Sequence, residues 1–497
     1  MSSLAREIAE LWSAGTPIVY LVTAEEERAL AACRAAARAF EATLAVWSSA
    51  RGLDPLAPAA RAPAALLDAV AQAPSPLVAV LLDFHEALSD HLVSRKLRDL
   101  VPRLSAEGRC LAVVAPRLVL DEGLAQHVAV LRVPLPDEAE LSAVLDDVLA
   151  RHGGGRKLEE AARHRAVTGA RGMFATQARR AFRRALRADP ALGPKGSEVV
   201  LAEKKRLLAR DLGLELVDAA GGTEQIGGLD GFKAWLAERA LAFSPGAARF
   251  GLQAPRGALL VGVQGCGKSL AAKSVAAQLG VPLLRLDLPR VLGAGAGAEE
   301  SLARALEAAE SIAPVALWVD EIEKGFAGSA PGEGGDPRAS RLLGSFSTWL
   351  QERKGSIFVV GTANDVTRLP PELMRRGRFD ELFFVDLPDL EARREILGLH
   401  LARRGRDPAG YELDRIAELC GDFSGAELEQ VVVGGLHRAF SLGRELETSD
   451  LRRLAQELVP LFVTYEEQIK GLREWARGRA RVAGRESAVV DLFRRAE

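Results

Sequence analysis

Short, unbroken apolar runs recur along the chain, among them "IVYLV" at 18–22, "LVAVLL" at 77–82, "ALLV" at 258–261, "VALWV" at 315–319 and "IFVV" at 357–360. An unbroken run of strand length, rather than an alternating one, predicts a strand covered on both faces. Most of these runs lead into stretches with helical spacing, such as "ERALAACRAAA" and "SLAAKSVAAQL". Strand followed by helix, repeated, predicts an α/β fold built on a parallel, doubly wound sheet, with ligands at the carboxyl ends of the strands. Helical patterns that follow the sheets, at 137–218 and 389–460, predict a helical lid for each.

The first half of the chain can be laid on the second. "TPIVYLVTAEEERALAACRAAA" matches "RGALLVGVQGCGKSLAAKSVAA", and "PLVAVLLDFHEAL" matches "PVALWVDEIEKGF". "GRCLAVVAPRLVLDEGLAQHVAVLRVPLPD" follows "GSIFVVGTANDVTRLPPELMRRGRFDELFFVDLPD". The offset, roughly 240 residues, is too long for a solenoid and indicates a duplicated domain. The alternative for the first half is an unrelated three-layer α/β domain.

Composition narrows the class. Of 497 residues, 48% are hydrophobic and 27% charged, and the net charge of -2 gives no general attraction to nucleic acid or membrane. The four cysteines, Cys33, Cys110, Cys266 and Cys420, form no C-x-x-C pair, which argues against a zinc site or disulfide framework and for a cytoplasmic location. The seven histidines have no ligand spacing, and His85 reads as structural. The first residues read as a short amphipathic helix rather than a signal peptide. No apolar run approaches the roughly 20 residues of a membrane span.

The chemistry lies in the second half. "GVQGCGKS" stands between an apolar strand and a helix, which is the setting a phosphate loop requires. Gly262, Gly265 and Gly267 let backbone N–H groups approach phosphates, the helix N-terminus favours negative charge, Lys268 would reach the β- and γ-phosphates, and Ser269 would hold Mg²⁺. Cys266 and Leu270 flank these positions and join the expected nucleotide contacts. The preferred reading of Cys266 is a small filler residue tolerated in the loop; the second is that the backbone N–H groups and Lys268 favour its thiolate, so that thiol oxidation would block ATP binding. Asp320 and Glu321, at the end of the 315–319 run, suit a Mg²⁺ carboxylate and a general base; the plain alternative is a pair of helix caps. Asn364, at the next strand tip, can orient water. Arg375, Arg376 and Arg378 crowd one turn, as a solvated surface or as fingers for a neighbour's ATP.

These motifs, in this order, resemble the AAA clade of AAA+ ATPases over residues from about 220 to 460. The chain is most similar to the Ycf46-type AAA ATPases, in its G-x-Q-G-x-G-K-S loop, its "DEIEK", and its tail "PLFVTYEEQIKGLREWARGRAR". The resemblance implies an adenine pocket at Ile226 and Gly227 and at Gly425 and Ala426 of the lid. It also implies finger roles for Arg375 and Arg378, with Arg376 as the alternative register. It further implies ATP and Mg²⁺ as ligands, a homohexameric ring, and an unidentified macromolecular client. The expected organisation is a degenerate AAA-like domain at 1–136, a basic lid-like linker at 137–218, the AAA+ large subdomain at 219–388, its small lid at 389–460, and a helical tail at 461–497.

The first copy has lost the chemistry. "TAEEER" stands where the phosphate loop should be, Asp83 is followed by Phe84 where Glu321 would be expected, and "EGLAQH" lacks the arginines. It is expected to fold without binding ATP. "ARRAFRRALR" in the linker makes a basic helix face, read as solvated or subunit-facing in preference to nucleic-acid binding, because no aromatics accompany it. "VLGAGAGAEE" at 291–300 looks like a dinucleotide fingerprint but follows the second strand of its domain. The resemblance makes it a pore loop, Leu292 and Gly293 standing where related motors carry an aromatic. Three functions remain open: a remodelling motor, an ATP-switched scaffold, and a DNA-associated ATPase.

Overall fold

The structure is a computed structural model that describes residues 3–152, 158–218, 221–243, 245–293, 295–326, 336–353, 355–375 and 377–485. The chain forms two compact units, one of residues 1–158 and 173–186, the other of residues 159–172 and 187–497.

The first unit holds β1 (Ile18–Val22), β2 (Thr43–Ser48), β3 (Gly52–Asp54), β4 (Leu77–Leu82), β5 (Arg109–Ala115) and β6 (Val128–Arg132), in the order β3-β2-β4-β5-β1-β6. Only β3 runs antiparallel. The apolar runs are strands because both faces are covered: every residue of β1 is buried, and Trp47 meets Phe84 edge-on at 5.5 Å in one of the two flanking cores.

The second unit holds β7 (Leu214–Val217), β8 (Gly257–Gly262), β9 (Leu283–Leu286), β10 (Val315–Val319), β11 (Ile357–Ala363), β12 (Glu381–Val385) and β13 (Arg481–Val482), in the order β13-β12-β8-β11-β10-β9-β7. Only β7 is antiparallel. The five parallel strands β9-β10-β11-β8-β12 repeat β2-β4-β5-β1-β6 strand for strand, while the antiparallel edges differ in origin, β3 following β2 in the chain and β7 preceding β8. The first unit therefore has the AAA-like topology, and the unrelated three-layer alternative falls away.

Aromatic packing holds the helix Asp230–Ala240 against this sheet, with Phe232 and Trp235 meeting Phe383 at 5.2 and 5.3 Å. The lid is a cluster of helices, chiefly Leu390–Arg403, Leu413–Leu419, Gly425–Ser441 and Thr448–Glu457. Ser424 and Glu427 form a reciprocal capping box that starts the third of these. The tail contributes the helix Glu466–Ala476 and then β13, which pairs with the edge of β12. Arg473 braces this arrangement from the helix by bonding both oxygens of Asp386 at 3.1 and 2.9 Å.

Candidate nucleotide site

β8 runs into a loop whose glycines take backbone forms closed to other residues. Gly262, Gly265 and Gly267 have φ of 149, 77 and 91. The helix Lys268–Leu279 starts directly afterwards. Lys268 is buried, and its Nζ donates to the carbonyls of Gly262 and Val263, both at 2.8 Å. Burial lowers its pKa to about 8, with the nearby carboxylates opposing that shift. Ser269 lies exposed at the mouth, its Oγ 3.5 Å from Asp320 Oδ1.

The adjacent strand ends supply the opposite wall. Thr362 Oγ1 donates to Asp320 Oδ1 at 2.6 Å and accepts the Glu321 N–H at 3.1 Å. Glu321 has a left-handed backbone, φ 47, and its Oε1 accepts from Lys324 Nζ at 2.7 Å and Asn364 Nδ2 at 3.1 Å. Glu323, buried behind them, accepts the Asn364 N–H at 3.0 Å, and burial raises its pKa.

The lid closes the cavity from a third side. Ala426 N–H bonds the Gly265 carbonyl at 3.0 Å. The resulting cavity, about 390 Å³, is walled by Ile226 and Gly227, the loop from Gln264 to Leu270, Asp320, Glu321, Asn364, Gly425 and Ala426. Such a volume suits a nucleotide-sized ligand. The sequence reading missed Thr362 and the lid residues Ile396, Leu399, His400, Arg403 and Glu429, which share this wall. The helical spacing of Ile396, Leu399, His400 and Arg403 could have revealed one face of a helix. His400 Nδ1 lies 3.6 Å from Glu429, but burial lowers the ring's pKa and favours its neutral form.

Other expected residues stand elsewhere. Arg375 is exposed, Arg378 is half-buried with its Nε lacking a hydrogen-bond partner among the described residues, and neither lines this cavity. Arg376 lies outside the described residues. Asp380 ties their turn to the root of β8, accepting the N–H groups of Arg256 and Gly257 at 2.6 and 3.0 Å. Leu292 ends a short helix, Leu288–Leu292, and Gly293 follows it exposed; neither lines the cavity, and the Leu292 side chain lies outside the described residues.

Two expectations need correction. Loss of solvation pushes the Cys266 thiol up to about 12, more than the nearby Lys268 can offset, so the thiol is neutral rather than a thiolate. In the first unit, Asp83 has the left-handed backbone of Glu321, φ 53 against 47, just past the equivalent strand. Asp83 thus takes the place of Glu321, and Leu82 takes that of Asp320. The pairing of Asp83 with Asp320 was one residue out of register.

Where the second unit has its phosphate loop, the first has buried Glu25. Its carboxylate accepts from Arg28 at 2.7 Å and from the Ala175 N–H at 2.5 Å, while Arg28 also reaches Glu140 at 2.7 Å. Burial raises the pKa of Glu25, its largest influence.

No cluster of three or more metal-ligating side chains occurs among the described residues. Ser269 with Asp320 suits Mg²⁺, which takes few protein ligands and completes its shell with phosphate and water.

Comparisons with known proteins give the family. Residues 258–387 match the ATPase family associated with various cellular activities (AAA). Residues 4–133 and 139–211 match the N-terminal and second domains of SpoVK-like AAA ATPases. The chain is 35% identical to the AAA domain-containing protein ycf46 of Guillardia theta, over 97% of this chain and 96% of that protein. It is 32% identical to the ycf46 protein of Trieres chinensis, over 96% and 97%. A shorter likeness, 36% over 37% of this chain and 27% of the other, joins it to the ATP-dependent zinc metalloprotease FtsH 2 of Conexibacter woesei. No helix among the described residues is long and apolar enough to cross a membrane.

Proposed function

The chain belongs to the Ycf46 group of AAA ATPases, and from that premise we propose that it hydrolyses ATP at the Gly262–Ser269 loop and uses the cycle to change shape against a macromolecular client. The observation that carries this reading is the convergence of three elements on one cavity: the phosphate loop, the paired acids with Asn364, and a lid helix bonded to the loop through Ala426 and Gly265.

In this reading Lys268 neutralises phosphate charge, and Ser269 with Asp320 holds Mg²⁺. The metal, when bound, offsets charge on the β- and γ-phosphates. Glu321 takes a proton from the water whose oxygen attacks the γ-phosphorus, and Asn364 holds the Glu321 carboxylate toward it. The bond from that phosphorus to the bridging oxygen breaks, leaving ADP and phosphate. Arg375 and Arg378 serve a neighbouring copy, since they do not line their own chain's cavity. A closed ring, a homohexamer by family likeness, satisfies that head-to-tail requirement. Loss of the γ-phosphate loosens the lid seam and turns chemistry into motion.

The first unit serves as a non-binding partner domain, because Glu25 and Arg28 fill its loop with a resident ion pair. One nucleotide per chain is the expected stoichiometry, falling to none in Lys268→Ala. A residual site in that variant would reassign the first unit.

Glu321→Gln should stop hydrolysis while ATP stays bound, and the co-purifying macromolecule becomes the candidate client. Normal turnover in that variant would remove the base assignment. An ATP-switched scaffold is the second reading, favoured by the absence of an aromatic beside Leu292 and Gly293. Stimulation of ATPase by unfolded polypeptide supports the motor, stimulation by DNA the nucleic-acid role, and neither the switch.

A further inference from the structure

We propose that Thr362 is the positioning residue that sets both acids of the site at once, so that Mg²⁺ capture and water activation depend on one hydroxyl. This rests on the assignment of Asp320 and Glu321 above. Thr362 sits in β11, between the strand bearing the acids and β8, and is 2% exposed. A hydroxyl has one proton to donate and lone pairs to accept with. Thr362 spends its proton on Asp320 Oδ1 at 2.6 Å and accepts the Glu321 N–H at 3.1 Å.

Each bond fixes a different degree of freedom. The first orients the Asp320 carboxylate whose same oxygen faces Ser269 Oγ at 3.5 Å. On its far side, Asp320 Oδ2 has, among the described residues, only Arg285 Nη2 at 3.5 Å. The second bond anchors the peptide of a residue whose left-handed backbone, φ 47, is costly for a side chain with a Cβ. That conformation aims Glu321 at Asn364, whose Nδ2 is 3.1 Å from Oε1. Asn364 is itself only two residues beyond Thr362 on the same strand end, so the hydroxyl and the amide form one short rigid frame. Glu323 fixes the other end of the frame by accepting the Asn364 N–H at 3.0 Å.

The first unit offers a natural contrast. There the residue at the Asp320 place is Leu82, which has no carboxylate to receive a hydroxyl proton, while Asp83 keeps the left-handed backbone. The strand equivalent to β11 is β5, whose last residues, "AVVA" at 112–115, include no hydroxyl. The hydroxyl and the Mg²⁺ carboxylate are both present in the unit with a phosphate loop and both missing from the unit without one.

Thr362→Val keeps the branched shape and removes the hydroxyl; Thr362→Ser keeps the hydroxyl. With a non-hydrolysable ATP analogue bound, Mn²⁺ affinity read by electron paramagnetic resonance should fall about 10- to 100-fold in the valine variant, as for other residues that orient metal ligands. Nucleotide binding without metal should stay at the wild-type value. The Mg²⁺ needed for half-maximal turnover should rise in parallel, and serine should restore both. Wild-type Mn²⁺ affinity and Mg²⁺ dependence in Thr362→Val would overturn the inference, as would equal losses in valine and serine. Thr362→Ala repeats the comparison if valine unfolds the chain, which a thermal melt reveals. Glu321→Gln, run alongside, separates the two claims. Normal turnover in Glu321→Gln removes the assignment of the base. An arrested Glu321→Gln with a wild-type Thr362→Val removes only the role of Thr362.

Discussion

Gly262 marks the tightest point of the site. Its φ of 149 is a region that residues with a Cβ avoid, and an added Cβ would be driven into the Val385 carbonyl of β12. Gly262→Ala should cost about 1–3 kcal/mol, read from the urea midpoint, and loosen nucleotide binding. An unchanged midpoint would mean that the strand end yields more easily than its packing indicates. Cys266, four residues on, is a neutral thiol held at about 12, so alkylation at neutral pH should be slow and should accelerate as pH rises. The motif residues were legible in the sequence because they are contiguous: one strand, one loop and one helix turn carry them all. Thr362 and His400 were not, because each matters only through partners on other elements. Nothing local to "VVGTAND" says that its hydroxyl faces Asp320.

Among the secondary-structure elements, the lid and the first unit's loop make the clearest demands. His400 is buried with a pKa lowered from 6.5, mainly by lost solvation. Its neutral form is favoured in the folded lid, so the unfolded chain binds the proton more readily. The stability it contributes is present above the unfolded value and is lost as pH falls below about 6.5 through the lower folded value. His400→Gln should flatten that part of the stability profile, followed by hydrogen exchange of the lid amides; an unaltered slope would assign it to another group. In the first unit, Glu25→Ala would leave the Ala175 N–H without its acceptor and leave Arg28 to Glu140 and the Pro134 carbonyl. The expected cost is about 1–3 kcal/mol, seen as faster amide exchange at the start of the helix Ala175–Ala188. The period of the apolar pattern disclosed most strands and the duplication, since parallel strands buried on both faces are unbroken apolar runs. It did not disclose β7 or β13, because "LELV" and "RV" carry too little pattern and become strands only by pairing with an existing edge.

For the proposed ring, the arginines proposed as fingers give the sharpest test. Lys268→Ala keeps its arginines and Arg375→Ala keeps its phosphate loop, and each should be inactive alone. Mixed in equal amounts in a ring, half the sites meet half the fingers, and roughly a quarter of wild-type turnover should return. No recovery would place Arg375 outside a neighbour's site.

The order of apolar runs, glycines, lysine and paired acids settled the fold class and the duplication and marked out the glycine loop proposed to hold phosphate, because those features are written in patterns along the chain. Folding settled how the acids are held, which lid face walls the cavity, what fills the first unit's loop, and that the tail adds an edge strand at Arg481–Val482. These rest on contacts between residues tens to hundreds of positions apart, whose partners are chosen by packing and burial rather than by spacing. The glycine stretch at 291–300 shows the same division: its composition suggested a nucleotide, and its place after β9 took it away from one.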